Sequence, residues 1–122
     1  MRTTIVITWS NSIVGSWLVA TDGGQAVITF FADGSYVHAE DGTNDENGVD
    51  GMERGSYTWD ASTGAFATTC PTVDTNGEWG LSHGGGGLTC SGSTADGTNT
   101  TITIDSNTLT LGGTTTADRV VP

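Results

Sequence analysis

The chain has no lysine and only three basic residues, Arg2, Arg54 and Arg119, against 14 acids, for a formal net charge of -11 and a pI near 4.1. Binding to a nucleic-acid backbone needs clustered Lys and Arg to displace condensed counterions, so that partner class is excluded. A polybasic membrane contact is excluded on the same ground. Long apolar runs are missing as well. Nothing approaches the roughly 20 residues of a helical span, so no membrane insertion is expected. Proline occurs twice and cysteine only as Cys70 and Cys90, neither in a CxxC pattern, which argues against zinc or redox chemistry. Helix formers are scarce, and no stretch shows a helical period.

What is present is glycine, 19 residues of it, with abundant Thr, Ser and Asn. Those are turn and strand formers. Charged residues make up only 14 %, beside four Trp, three Phe and two Tyr, which is not the composition of a disordered chain. A length of 122 residues suits one domain, 1–122, enclosing one core.

Period-two alternation recurs along the chain. Ile102, Ile104, Leu109 and Leu111 alternate with Thr around Asp105-Ser106-Asn107, a hairpin with one oily face. A second hairpin joins Ala26–Ala32 to Ser35–Glu40 across Asp33-Gly34, a strong two-residue turn signal. A third joins Gly55–Trp59 to Ala65–Thr69 across 60–64. Ile13–Ala20 and Thr114–Val121 add strands at either end, and Ile5–Trp9 reads as a short first strand rather than a signal-peptide core. The expectation is an all-β fold, a single antiparallel meander barrel of about eight strands.

Gly15-Ser16-Trp17, Ile28–Tyr36, Gly55–Trp59, the Ile104/Leu109 hairpin and Arg119 on the last strand come in an order that resembles the small bacterial lipocalin-like (calycin) domains. The resemblance implies an eight-stranded meander barrel in which Trp17 plugs one end and Arg119 packs across it. The absent lysines and abundant Thr and Gly favour an exported bacterial protein, extracellular or periplasmic, and the similar arrangement in repeated extracellular domains implies one module of a larger surface protein. The sequence departs from the pattern at an acidic insert, 40–53, and at the Cys70–Cys90 segment.

The acidic insert holds six of the 14 acids. Hard oxygen ligands on a glycine-punctuated loop are what calcium needs, so Asp41, Asp45, Asn47, Asp50 and Glu53 are candidate metal ligands. The register of an EF-hand fails, because Arg54 stands at the twelfth position. A solvated loop is the competing reading. Cys70 and Cys90 are expected to form a disulfide around Trp79, His83 and the Gly84–Gly87 run. Such a crosslink contributes about 3 kcal/mol through the unfolded state.

Gly80-Leu81-Ser82-His83-Gly84 fits G-x-S-x-G and overlaps an HGGG match, with Ser82 as nucleophile on paper. That elbow works only on a strand-to-helix turn above a parallel sheet, which this chain lacks. His38 and His83 could act with Glu40, Glu53 or Glu78, as metal ligands or as a buried acid–base pair. Hairpin register decides whether His38 qualifies. A two-residue Asp33-Gly34 turn pairs Phe30 with Val37 and puts His38 outside; a three-residue loop pairs Phe30 with Tyr36 and puts His38 inside. The shorter turn is the favoured of the two. Trp79, Trp59 and Tyr57 are aromatic candidates for a ligand pocket or sugar platform, with His38 and His83 beside them.

The expected function is a non-catalytic barrel module that binds a small molecule or protein at the mouth formed by the 40–53 and Cys70–Cys90 loops, with no cofactor unless calcium. The alternatives are a self-associating adhesive repeat and a small barrel hydrolase using Ser82/His83 or His38.

Overall fold

The computed structural model describes residues 12–21, 24–41, 50–69, 71–75, 81 and 99–121. Its regular elements are nine strands: β1 (Gly15–Thr21), β2 (Gly24–Phe30), β3 (Ser35–Asp41), β4 (Gly51–Trp59), β5 (Ala65–Thr68), β6 (Val73–Asp74), β7 (Asn99–Asp105), β8 (Thr108–Leu111) and β9 (Thr115–Arg119). Eight of them form the antiparallel meander, and β9 returns to β1 through Trp17↔Arg119 and Leu18↔Asp118 to close the barrel. The extra strand, β6, continues along β4 beyond the end of β5, pairing Asp74 with Glu53 and Val73 with Arg54. The expected all-β meander barrel is therefore the fold, with one strand more.

Alternation of small β-branched and apolar residues builds the wall. Trp17 and Val19 of β1, Ala26, Ile28 and Phe30 of β2, Phe66 of β5, Ile102 of β7, Leu109 of β8 and Ala117 of β9 are buried. The turns 31–34, 60–64 and 106–107 gather at one end, the lower end, with residues 12–14 and 120–121; the outer ends of β3, β4 and β6 mark the upper end.

Aromatic rings close the lower end. Phe30 meets Tyr57 edge-on at 4.9 Å and Phe66 at 5.7 Å, and Tyr36 is fully buried beside them. The ring of Tyr36 fits because Gly55 faces it: a Cβ there would lie 3.0 Å from the ring. Trp17 is fully buried, donates from Nε1 to the Ile13 carbonyl at 2.9 Å, and carries the Arg119 guanidinium 4.2 Å above its ring. That guanidinium also donates to the carbonyls of Ser12 and Ser106, each at 3.1 Å, so one cation ties three chain segments to the indole.

The β2–β3 hairpin corrects the favoured sequence reading. Phe30 pairs with Tyr36, not Val37. Gly34 N–H donates to the Phe31 carbonyl and Phe31 N–H to the Ser35 carbonyl, with Gly34 at φ 90°. This is a three-residue turn with glycine in the left-handed position. Asp33 holds it by accepting from the Ser35 N–H and hydroxyl at 2.9 and 2.6 Å. The extra residue turns Tyr36, His38 and Glu40 inward and leaves Ala39 exposed.

The 40–53 insert is also shorter than expected. Glu40 and Asp41 end β3, and Gly51–Glu53 begin β4, so the strand period runs on into the acidic segment. Gly51 is required there, because the Thr75 carbonyl occupies the space of a Cβ.

Candidate functional site at the upper end of the barrel

In β3 the inward positions after Tyr36 are His38 and Glu40; in β4 the inward position before Gly55 is Glu53. Antiparallel register sets His38 directly opposite Glu53, and Asp74 flanks Glu53 on its other side. Directly opposed side chains on one face lie within contact range. Glu53 is fully enclosed, and His38, Glu40 and Thr68 retain 3 %, 6 % and 4 % exposure.

Two of these groups hold Leu81. The Glu53 Oε1 accepts the Leu81 N–H, and the Thr68 hydroxyl donates to the Leu81 carbonyl at 3.1 Å. The Leu81 side chain is itself buried, so its backbone and side chain are both committed to this end. Burial pushes the His38 imidazole from 6.5 down to about 4. It is therefore neutral at pH 7, with one ring nitrogen able to accept a proton and the other to donate. A neutral imidazole facing a carboxylate, with a second carboxylate two residues along, can bind hydrogen-bond donors or relay a proton.

No family model, no curated protein and no solved structure matches this chain.

The sequence candidates are divided between the ends. His38 lies in the upper interior, correcting the expectation that it faces outward. Tyr57 and Trp59 lie at the lower end, where the Tyr57 hydroxyl donates to the Phe31 carbonyl at 2.8 Å and the Trp59 Nε1 to the Ile102 carbonyl at 2.9 Å. Burial raises the Tyr57 pKa, and the nearby Asp33 charge adds to it. Trp79, Ser82, His83, Cys70, Cys90, Asp45 and Asn47 lie outside the described residues. Of the remaining metal candidates, Asp41 and Asp50 are exposed whereas Glu53 is buried inside the wall. Among the described residues, no three His, Cys, Asp or Glu side chains converge as a metal site, and no helix is long and apolar enough to cross a membrane.

Sequence reasoning missed Thr68, Asp74 and Leu81. For Glu40 and Glu53 a signal existed only in the register not favoured: Glu40 shares a face with His38 and Glu53 with Gly55, so fixing the turn at three residues places them inside.

Proposed function

We propose that this protein is an exported, lipocalin-like bacterial barrel module that binds a small, positively charged organic ligand at the polar upper end. The observation that carries the proposal is the inward-facing set of His38 opposite Glu53 with Glu40 beside them. Burying ionisable groups costs several kcal/mol each before compensation, and an apolar replacement would serve the fold as well or better. Such groups concentrate at functional sites. With His38 neutral, the set offers carboxylate oxygens and an imidazole, which suits an amine or guanidine. The order GxW, then an arginine of the last strand stacked on that Trp17, supports the lipocalin-like assignment.

Thermal-shift titration with spermidine, imidazole and acetate tests the ligand class. Stabilisation by the amine alone, lost in Glu40→Gln and in Glu53→Gln, is the expected result. Stabilisation by acetate alone, or by no probe, overturns it.

A second reading, a small barrel hydrolase, is favoured by one observation, the His38–Glu53 register, which puts an imidazole opposite a carboxyl group inside the barrel. Turnover of p-nitrophenyl acetate above the buffer blank, abolished by His38→Gln and retained in Ser82→Ala, would establish it.

A further inference from the structure

A concavity lies at the lower end, between the β4–β5 turn and β7. It has a volume of about 310 Å³, and its lining includes Trp59, Ser62, Thr63, Gly64, Ile102 and Thr103. That volume is at the small end of the range for small-molecule sites.

Its parts are held in place by bonds that leave defined valences over. Trp59 spends its one polar hydrogen on the Ile102 carbonyl, which fixes the indole and leaves only its apolar ring to a visitor. The turn is braced by Gly64 N–H to the Asp60 carbonyl at 2.7 Å and by Ile102 N–H to the Gly64 carbonyl at 2.8 Å. Gly64, at φ 80°, lets the turn close on β7: a Cβ there would sit 3.2 Å from the Ile102 carbonyl oxygen. On the rim, the Ser62 hydroxyl donates to the Asp60 carboxylate at 2.6 Å, so its oxygen remains an acceptor. The Thr63 oxygen accepts the Ala65 N–H at 3.2 Å while its hydroxyl donates to the Asp60 carboxylate, so it too is left with acceptor capacity. No lining residue is ionisable.

We propose that this pocket binds a pyranose ring of a neutral saccharide. A fixed indole with adjacent hydroxyl acceptors matches a molecule that has a C–H face and an edge of donating hydroxyls. An anion finds no cation here, and the Asp60 carboxylate beside the turn repels it. A wholly apolar ligand would strip water from the Ser62 and Thr63 hydroxyls without replacing it. The pocket is separate from His38, Glu40 and Glu53 and does not depend on the reading given to them.

The test is a ¹H–¹⁵N titration of the full chain with cellobiose and maltose, beside glycerol and indole as controls. The Trp59 indole N–H is assigned with Trp59→Phe. Expected are saturable shifts at that N–H and at the Ser62, Thr63 and Gly64 amides, with a Kd of about 0.1–10 mM. Thr63→Val and Ser62→Ala should each weaken binding by about fivefold or more without lowering the melting temperature appreciably. Saturation by indole but by neither sugar overturns the proposal in favour of an apolar pocket. So does the absence of any saturable shift up to about 50 mM sugar, or sugar-dependent shifts confined to His38 and Glu53. The amine titration at the upper end reads different nuclei, so either result can fail alone.

Discussion

The two ends of this barrel place opposite chemistry on equivalent inward positions of the same strands. At the lower end Trp17 is buried, Phe30, Tyr57 and Phe66 interlock, and the polar atoms of Trp17, Tyr57 and Trp59 each reach a backbone carbonyl. At the upper end the interior holds His38, Glu40, Glu53 and Thr68. β3 makes the contrast within one element, facing Tyr36, His38 and Glu40 inward in succession. Ring burial stabilises, at about 1.5–3 kcal/mol or more for each large side chain, whereas ionisable groups in the same environment cost free energy unless they are well satisfied. The difference teaches where stability resides and where it is drawn upon.

The largest test removes the lower plug. Trp17→Ala leaves a cavity, frees the Ile13 carbonyl and strips Arg119 of its stacking partner, so a loss of about 3–5 kcal/mol is expected in urea denaturation. A loss below about 1 kcal/mol would show that the lower end does not hold the barrel together.

Acid probes the other end. The folded pKa of His38, about 4, lies below the unfolded value of 6.5, so the unfolded chain takes up the proton first. The associated stability is fully present above about pH 6.5 and is lost as the pH falls toward 4, about 3 kcal/mol in all. Glu53 faces the imidazole from β4, Glu40 shares its strand, and Asp74 of β6 flanks Glu53. Comparing wild type with His38→Phe, which carries the same carboxylates, isolates the imidazole. The stability of wild type relative to that variant should drop by about 3 kcal/mol between about pH 7 and pH 4. A flat difference would mean that the imidazole titrates alike in the folded and unfolded chains, and a rise on acidification would mean that it is charged in the folded state and paired with a carboxylate.

A smaller effect follows from the Leu81 contact. Glu53→Ala removes the acceptor of a buried N–H and should cost about 1–3 kcal/mol. Glu53→Gln keeps a carbonyl oxygen in place and should cost less than about 1 kcal/mol. Exchange of the Leu81 amide separates the two: faster in Glu53→Ala, close to wild type in Glu53→Gln. Equal exchange in both would remove Glu53 from the anchoring of Leu81.

The lower end was largely legible in the sequence, and the upper end was not. Alternating Thr and Ile around Ser106-Asn107 carry a signal that needs no long-range information, and the places of Trp17 and Arg119 were implied by the resemblance. The acids at 40 and 53 read as solvated because carboxylates are seldom buried, and this hid the continuation of β3 and β4. β6 is two residues long and exists only through its bonds to β4, so no local pattern announces it. The position of Trp59, far from the acidic segment, follows from strand direction, which a list of aromatic residues does not contain.

Register was the hardest feature to read, and it turns on one glycine. Asp33-Gly34 fits a two-residue turn by composition, yet Gly34 is used as the left-handed residue of a longer one, with Asp33 occupied by Ser35. One residue of difference exchanges Val37 for Tyr36 and Ala39 for His38 on the inner face. Gly34→Ala should cost about 1 kcal/mol, because alanine tolerates φ 90° poorly. Gly34→Asn, a residue more at ease with positive φ, should recover part of the loss. Both variants should keep Tyr36 and His38 inside, since a slip would expose a fully buried tyrosine ring and bring Val37 in its place. Tyr36 fluorescence quenching by acrylamide and the His38 ring titration report on this together. A variant that lost about 1 kcal/mol while His38 titrated near 6.5 would show that the turn alone sets which residues the upper end can offer.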